Sequence, residues 1–157
     1  MINEFRGEYA YLSNFYSCNI EYEGIIYPSS ENLFQAFKTM DIDEKIKISK
    51  MTPKDAKTYG RKIPIDLANW HINRLKYMYV AVSEKFIQNP ELRNKLNNTN
   101  DEEIIEGNIW NDTYWGVCNG KGKNMLGKIL MAIRNDIKTY YRSIEVNYSN
   151  IVIEGIY

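Results

Sequence analysis

The sequence predicts an α+β fold that is mostly helical and carries a small antiparallel sheet. Residues 67–88 and 125–141 have apolar side chains at helical spacing, which predicts two long amphipathic helices. Residues 18–22 and 25–27 are short runs joined by a Glu-Gly turn, which predicts a β-hairpin. The tail, residues 143–156, alternates polar and apolar residues as a strand does, and this strand could pair with the hairpin.

The remaining elements are shorter. The clearest start signal is Thr52-Pro53-Lys54-Asp55, which places a cap, a proline at the first helical position and an acid at the third. No internal repeat, linker or low-complexity segment interrupts the 157 residues, so we expect a single domain over residues 1–157. The shorter elements are helices at residues 29–40, 43–49, 53–60 and 91–96 and a glycine loop at residues 119–124.

Composition argues against several classes of function. Lys plus Arg equals Asp plus Glu at 20 each, so net charge gives no general attraction to nucleic acid or membrane. The two cysteines have no metal or redox spacing, and the single histidine, His71, is expected to be a partly buried helix residue. Because the N-terminus lacks a signal peptide and no apolar run reaches membrane-spanning length, we expect a cytoplasmic protein with no membrane partner.

One stripe of the first predicted helix carries an acid, an amide and an amine. If Ser29 or Ser30 caps this helix, Glu31 falls in its first turn, where unpaired N–H groups and the helix dipole favour a carboxylate. Gln35 and Lys38 follow on the same stripe. An acid at the start of a helix and a lysine near its end also stabilise any helix, so plain structure and chemistry are both open here.

The glycine loop is a second candidate site. It leads directly into the helix that begins at residue 125, so its backbone N–H groups, the helix dipole and two lysines could hold a phosphate. Its spacing is neither that of a P-loop nor that of a Rossmann fingerprint. An ordinary turn and helix cap is the alternative.

Motifs between Phe5 and Arg134 form an ordered series. They are Leu12-Ser13-Asn14-Phe15-Tyr16, Tyr27-Pro28-Ser29-Ser30-Glu31, Phe34-Gln35-Ala36 with Lys38, Ala56-Lys57, Gly60-Arg61, Trp70 with Arg74, Lys85-Phe86, Asn111-Asp112-Thr113-Tyr114-Trp115-Gly116 and Gly120-Lys121-Gly122-Lys123-Asn124-Met125-Leu126-Gly127. In this order they resemble the NADAR family, also called YbiA-like N-glycosidases.

The resemblance implies a YbiA-like fold and a hydrolase that needs neither metal nor cofactor. Such an enzyme cleaves the N-glycosidic bond between a ribose and a base. Its small-molecule substrates would be phosphoribosylamino-pyrimidine intermediates of riboflavin synthesis or ADP-ribose attached to guanine, including guanine in nucleic acid. Glu31 matches the catalytic glutamate, and Lys38 matches a lysine expected to attack the ribose carbon. Asn32 departs from the family, in which a histidine commonly follows the glutamate.

The resemblance also suggests substrate-binding residues. Phe15 and Trp115 are expected to stack on the base. Lys121 and Lys123, with the amides near Gly122, are expected to hold phosphate, and Arg61 or Arg74 could assist them. Core packing is the alternative for the two aromatic residues, and a solvated surface for the lysines. The other expected substrate-binding residues are Ser13, Asn14, Gln35, Arg61, Trp70, Arg74 and Asn124.

Two mechanisms remain open at this level. In the first, the sugar opens, Lys38 forms a Schiff base with its C1 and water releases the sugar. This route needs a neutral Lys38, which desolvation beside aromatic rings favours and the Glu31 carboxylate opposes. In the second, Glu31 or Asp112 acts as a general base on water at an oxocarbenium-like sugar. Asp112 could instead cap a turn.

Two other classes of function are also open. A module that binds ADP-ribose or a nucleotide without cleaving it would share the aromatic and phosphate-binding residues but would not need both Glu31 and Lys38. A structural or partner-binding helical domain would need neither of them.

Overall fold

The computed structural model describes residues 1–140, so the predicted strand at residues 143–156 lies outside the described residues. The chain divides into two units. One consists of residues 13–93, and the other of residues 1–12 together with those from 94 onward. None of the helices in the described part of the chain is both long enough and apolar enough to cross a membrane.

The predicted hairpin is present in the unit formed by residues 13–93. Strands β1 (Ile20–Tyr22) and β2 (Ile25–Tyr27) pair antiparallel, with Ile20 opposite Tyr27. Glu23 and Gly24 both have positive φ, 49° and 80°, as a two-residue turn between twisted strands requires. The first strand is shorter than predicted: Cys18 lies outside the paired residues, although its N–H donates to Pro28 O.

Four helices follow in this unit: α1 (Ser30–Ala36), α2 (Ile42–Ser49), α3 (Pro53–Gly60) and α4 (Leu67–Gln88). The sequence predicted α2, α3 and α4 closely, and Thr52 caps α3 as expected by accepting from Asp55 N–H. The first helix was predicted too long, since α1 ends at Ala36. The next residues turn more tightly, and Lys38 N–H bonds to Gln35 O three residues back.

Helix α1 lies at the centre of this unit. All seven of its residues are buried, and it packs against α2, α3, α4 and both strands. Its amphipathic pattern is therefore misleading, because the polar side chains of α1 are as inaccessible to water as the apolar ones. Buried polar groups need hydrogen-bond partners, so the surroundings of α1 have to supply them.

The other unit contains a 3-10 helix (Gly7–Leu12), α5 (Pro90–Asn97, which begins in the first unit), the two-residue strands β3 (Gly107–Asn108) and β4 (Val117–Cys118), and α6 (Met125–Tyr140). β3 and β4 pair in parallel, which the sequence did not predict. These strands are too short to show a hydrophobic period. Together these elements confirm the predicted fold class: mostly helical, with a small antiparallel sheet.

Candidate functional site

Glu31 is a buried acid in the first turn of α1. Ser29 caps the helix by accepting from Asn32 N–H, which places Glu31 among the N-terminal N–H groups that favour a carboxylate. The Glu31 N–H donates to Asn14 O at 3.1 Å, and only 6% of the residue is exposed. Gln35, one turn later, donates its Nε2 to Glu31 Oε1 at 2.6 Å. One carboxylate oxygen is therefore fixed by a neighbour on the same helix.

Gln35 is held in turn by the end of α3. A Cβ built on Gly60 would overlap Gln35 Oε1, so only a glycine lets the amide lie against the α3 backbone. Within the described chain, Gln35 Oε1 is buried and accepts no hydrogen bond. This oxygen is an acceptor beside the acid, available to a donor on a bound molecule.

Lys38 completes the predicted acid, amide and amine set, although it lies in the turn after α1 and not in the helix. Its Nζ donates to Gly60 O at 3.1 Å and lies 5.1 Å from the centroid of the Trp70 ring. Burial lowers the pKa of Lys38 below its ordinary value, the Glu31 carboxylate opposes this, and the cations Arg61 and Lys57 lower the pKa further. A larger fraction of neutral amine results.

Trp70 connects this lysine to a cluster of aromatic rings. The Trp70 ring centroid lies 5.3 Å from that of Phe34 and 5.7 Å from that of Tyr77, and the stacked rings of Tyr77 and Phe37 have centroids 5.0 Å apart. Arg74 lies one turn after Trp70 and, like it, is half-buried. The Trp70 ring covers one side of the amine, which is consistent with burial as the largest effect on the pKa of Lys38.

The turn at residues 13–16 supports Glu31 from the other side. Asn14 is buried, and its Oδ1 accepts from Ser30 Oγ at 2.9 Å while its Nδ2 donates to Met78 Sδ at 3.2 Å. The Ser13 hydroxyl accepts from Phe15 N–H, and Ser13 O accepts from Tyr16 N–H. Asn14 therefore acts here as a support for the helix start.

The structure also places Lys85, which the sequence analysis did not include among the site residues, behind this turn. Lys85 is 0% exposed, and its Nζ donates to Ser13 O at 2.8 Å. Burial lowers its pKa to about 8, while Cys18 raises it slightly. The signal in the sequence was a charge next to Phe86 on the apolar face of α4. The interpretation as ordinary helix pattern concealed it.

Asp112 has a clear structural role in the other unit. Its Oδ1 accepts from Tyr114 N–H at 3.1 Å and from Trp115 N–H at 2.9 Å, which is the turn cap considered as its alternative. Its backbone is bound at both ends by the Asn108 side chain. Trp115 is half-buried with its ring edge-on to Tyr114 at 4.8 Å.

The glycine loop offers less to a phosphate than the sequence suggested. Asn119 and Gly120 form a tight turn with positive φ, and Cys118 and Lys121 pair across it. The N–H groups of residues 123, 124, 125 and 126 donate to the carbonyls of residues 113, 116, 114 and 115, respectively. The start of α6 is thus already satisfied by protein.

What remains in the loop is side-chain charge. Lys121, Gly122 and Lys123 are exposed, and Lys123 Nζ lies 5.7 Å from the centroid of the Tyr114 ring. Asn124 is 9% exposed, and both ends of its amide are used: Oδ1 accepts from Glu106 N–H, and Nδ2 donates to Ile104 O. The loop is therefore tied to its own unit by Asn124. His71, predicted to be partly buried, is exposed on α4.

A buried carboxylate, a neighbouring amide and a desolvated lysine are groups that can perform acid–base or nucleophilic chemistry, and they lie within a mostly helical α+β fold. Comparison with known proteins then gives the family. The model of the NADAR domain matches residues 3–138, and the chain belongs to this family.

Curated relatives agree with this assignment. N-glycosidase YbiA of Shigella boydii is 37% identical over 133 residues, which cover 83% of this chain and 82% of that protein. A riboflavin biosynthesis protein of Vibrio vulnificus is 33% identical over 135 residues, 84% of this chain but only 36% of that longer protein. The NMR structure of the E. coli protein YbiA superposes with a TM-score of 0.77 at 32% identity, covering 94% of this chain and 92% of that one.

Proposed function

We propose that this chain hydrolyses the C–N bond between a ribose and the exocyclic amine of a base, with Glu31 and Lys38 as the reacting pair. The class is carried by the relatives: the chain is a hydrolase acting on N-glycosyl bonds, as the N-glycosidases of its family are. The assignment of the pair is supported by one observation above the others. Lys38 donates to Gly60 O at 3.1 Å beside the Trp70 ring, and burial there lowers its pKa although the Glu31 carboxylate raises it.

The lysine supplies the nucleophile. An exocyclic ribosylamine opens by proton transfer to expose C1 as an imine-like carbon, and the neutral Lys38 amine adds to it. The C1–N bond to the base breaks as that nitrogen gains a proton, which leaves C1 doubly bonded to Nζ. Water then adds at C1, the C1–Nζ bond breaks, and the sugar leaves with its carbonyl. The sum is one water consumed and one amine released.

Glu31 is placed to move the protons in these steps. Its Oε1 accepts from Gln35 Nε2, which orients the carboxylate for proton exchange with the sugar, the leaving amine or water. The buried Gln35 Oε1 accepts no protein donor, so a ribose hydroxyl or the amine of the substrate can donate to it. These two groups would orient the sugar with C1 towards Lys38.

The substrate is proposed from two classes. Phosphoribosylamino-pyrimidines of riboflavin synthesis are favoured first, because a relative carries the name of a riboflavin biosynthesis protein. ADP-ribose attached to guanine, free or in nucleic acid, has the same bond type and is the second class. A small nucleotide-like molecule is common to both.

The experiment is a side-by-side assay of purified protein on one substrate of each class, with release of the free base as the readout. We expect release from at least one of them. Tight binding of both without release would favour a non-catalytic binding module. Borohydride added during turnover should reduce the Schiff base and attach the sugar to Lys38, detected by the mass of the peptide.

Substitutions separate the two mechanisms. Lys38→Ala should abolish both turnover and trapping, and Lys38→Arg, which keeps the charge but not the nucleophile, should do the same. The matched control is Lys76→Ala, an exposed lysine on α4. Normal turnover in Lys38→Ala with loss in Glu31→Gln would instead favour direct attack of water with Glu31 as base.

A further inference from the structure

Two cations on α3 face the proposed reactive amine. Lys57 and Arg61 are four residues apart, one helical turn, so they lie on one face of the helix and its end. Basic residues near a helix C-terminus are favoured by the dipole, which by itself would account for them. Within residues 1–140, however, neither cation forms an ion pair with a carboxylate. Their charge is left uncompensated by protein.

Their position relative to Lys38 gives them a role in the site. Gly60, which immediately precedes Arg61, accepts from Lys38 Nζ at 3.1 Å, so the end of α3 contacts the amine directly. Both cations also act on Lys38 through space, as their lowering of its pKa indicates. Lys57 and Arg61 thus place positive charge near Lys38, and within residues 1–140 no carboxylate forms an ion pair with either of them.

Lys57 also contacts an aromatic residue from the turn that supports the acid. Its Nζ lies 5.7 Å from the centroid of the Phe15 ring, and 42% of Phe15 is exposed. The exposed Phe15 ring and the half-buried Lys57 ammonium therefore form a border, an edge of surface that is apolar at Phe15 and cationic at Lys57. Phe15 follows Asn14, which accepts the Glu31 N–H, so this border lies next to the acid as well.

An anion is the ligand that this arrangement fits. Guanidinium and ammonium groups recognise phosphate with charge-assisted hydrogen bonds, and a phosphate would relieve the repulsion between Lys57 and Arg61. A ribosyl phosphate carries that group on C5 of the same sugar whose C1 Lys38 attacks. The glycine loop is the weaker candidate, because the amides of residues 123–126 already bond to protein carbonyls.

We infer that Lys57 and Arg61, bordered by the Phe15 ring, form the subsite for the phosphate ester on the substrate ribose. This inference rests on the proposed function, and it assigns particular residues to the phosphate of the phosphoribosyl substrates that the function already includes. It also replaces the glycine loop as the main phosphate-binding element.

The test compares a phosphoribosylamino-pyrimidine with the same compound lacking its phosphate. For the native protein and for Lys57→Gln, Arg61→Gln and the double variant, the ratio of kcat/KM on the two compounds is measured. We expect this ratio to fall about tenfold or more in the double variant, as loss of charged hydrogen bonds implies. Lys54→Gln, an exposed lysine on the same helix, is the matched control and should leave the ratio unchanged.

An equal loss on both compounds would overturn the inference, as would a fall in the ratio only in a Lys121→Gln, Lys123→Gln double variant. Arg61 is exposed, so the Arg61→Gln variant should fold normally. This variant can still test the inference if Lys57→Gln fails to fold. If the native protein cleaves neither of these compounds nor ADP-ribose attached to guanine, the proposed function fails. Titration calorimetry with ribose 5-phosphate then decides the subsite by itself, because the inference requires binding that the α3 double variant weakens and the Lys54 control does not.

Discussion

Replacing Lys85 by methionine should make the protein more stable at neutral pH and remove a distinctive pH dependence. Lys85 is 0% exposed, and within residues 1–140 no carboxylate forms an ion pair with it. Its Nζ donates to Ser13 O, and its immediate surroundings are the Tyr16 and Phe86 rings and Cys18. Burial without a counter-charge lowers its pKa to about 8.

The magnitude follows from linkage. With a pKa of 10.5 in the unfolded chain and about 8 in the folded one, the buried ammonium destabilises the native state by about 3 kcal/mol at pH 7. The unfolded chain holds more protons between these values, so stability rises with pH, by about 2 kcal/mol from pH 8 to pH 10. The Lys85→Met variant lacks the hydrogen bond from Lys85 Nζ to Ser13 O, which is worth about 1 kcal/mol. The variant should therefore be more stable than the native protein by about 2 kcal/mol at pH 7. This difference in the free energy of unfolding should disappear by pH 10.

The assay is urea unfolding of the native protein, Lys85→Met and Lys76→Met at pH 7, 8, 9 and 10. Lys76 lies on the same helix but is exposed, so its substitution should leave the pH dependence intact. Taking differences between proteins cancels the tyrosines that titrate in this range. Parallel stability curves for the native protein and Lys85→Met would refute the reasoning, because they would mean that the buried lysine keeps an ordinary pKa.

Three further outcomes are expected. Gly60→Ala should displace the Gln35 amide and lower kcat at least tenfold, whereas an exposed neighbouring substitution on α3 should not. Asp112→Asn keeps the capping oxygen and should retain activity, whereas Asp112→Ala should destabilise the fold by about 1 kcal/mol; loss of turnover in the asparagine variant would instead indicate a catalytic acid. Borohydride trapping should increase as pH rises towards the lowered pKa of Lys38, and Glu31→Gln should move this profile to lower pH, because the carboxylate raises that pKa.

The fold was largely predictable because its signals are local. Helices α3 and α4 have caps, a proline and a long apolar period, and the hairpin has its turn residues. The end of α1 and the β3–β4 pair were not predictable in this way. Both depend on tertiary contacts. Helix α1 is completely buried by its neighbours, and β3 and β4 form only because they pair with each other.

The members of the candidate site could be proposed from the sequence, but their supports could not. Glu31, Gln35 and Lys38 were selected by spacing and resemblance, and in the structure Glu31 is coupled to Gln35 by a hydrogen bond and to Lys38 by an electrostatic interaction. Lys85 was left out of the candidate site because a lysine in an amphipathic helix is normally solvated. The hydrogen bonds of the amides at residues 123–126 could not be foreseen either, since carbonyl partners eight to eleven residues away leave no local pattern.

Gly60 links the acid and the amine more directly than the helix that carries them. Because α1 ends at Ala36, helical spacing alone does not fix Lys38 relative to Glu31. The missing Cβ of Gly60 admits the Gln35 amide that holds the acid, and its carbonyl accepts from the Lys38 amine. One backbone position therefore contacts both the amide that holds the carboxylate and the Lys38 amine proposed as the nucleophile. A larger residue there should disturb both, which is why the activity of Gly60→Ala should fall further than its stability.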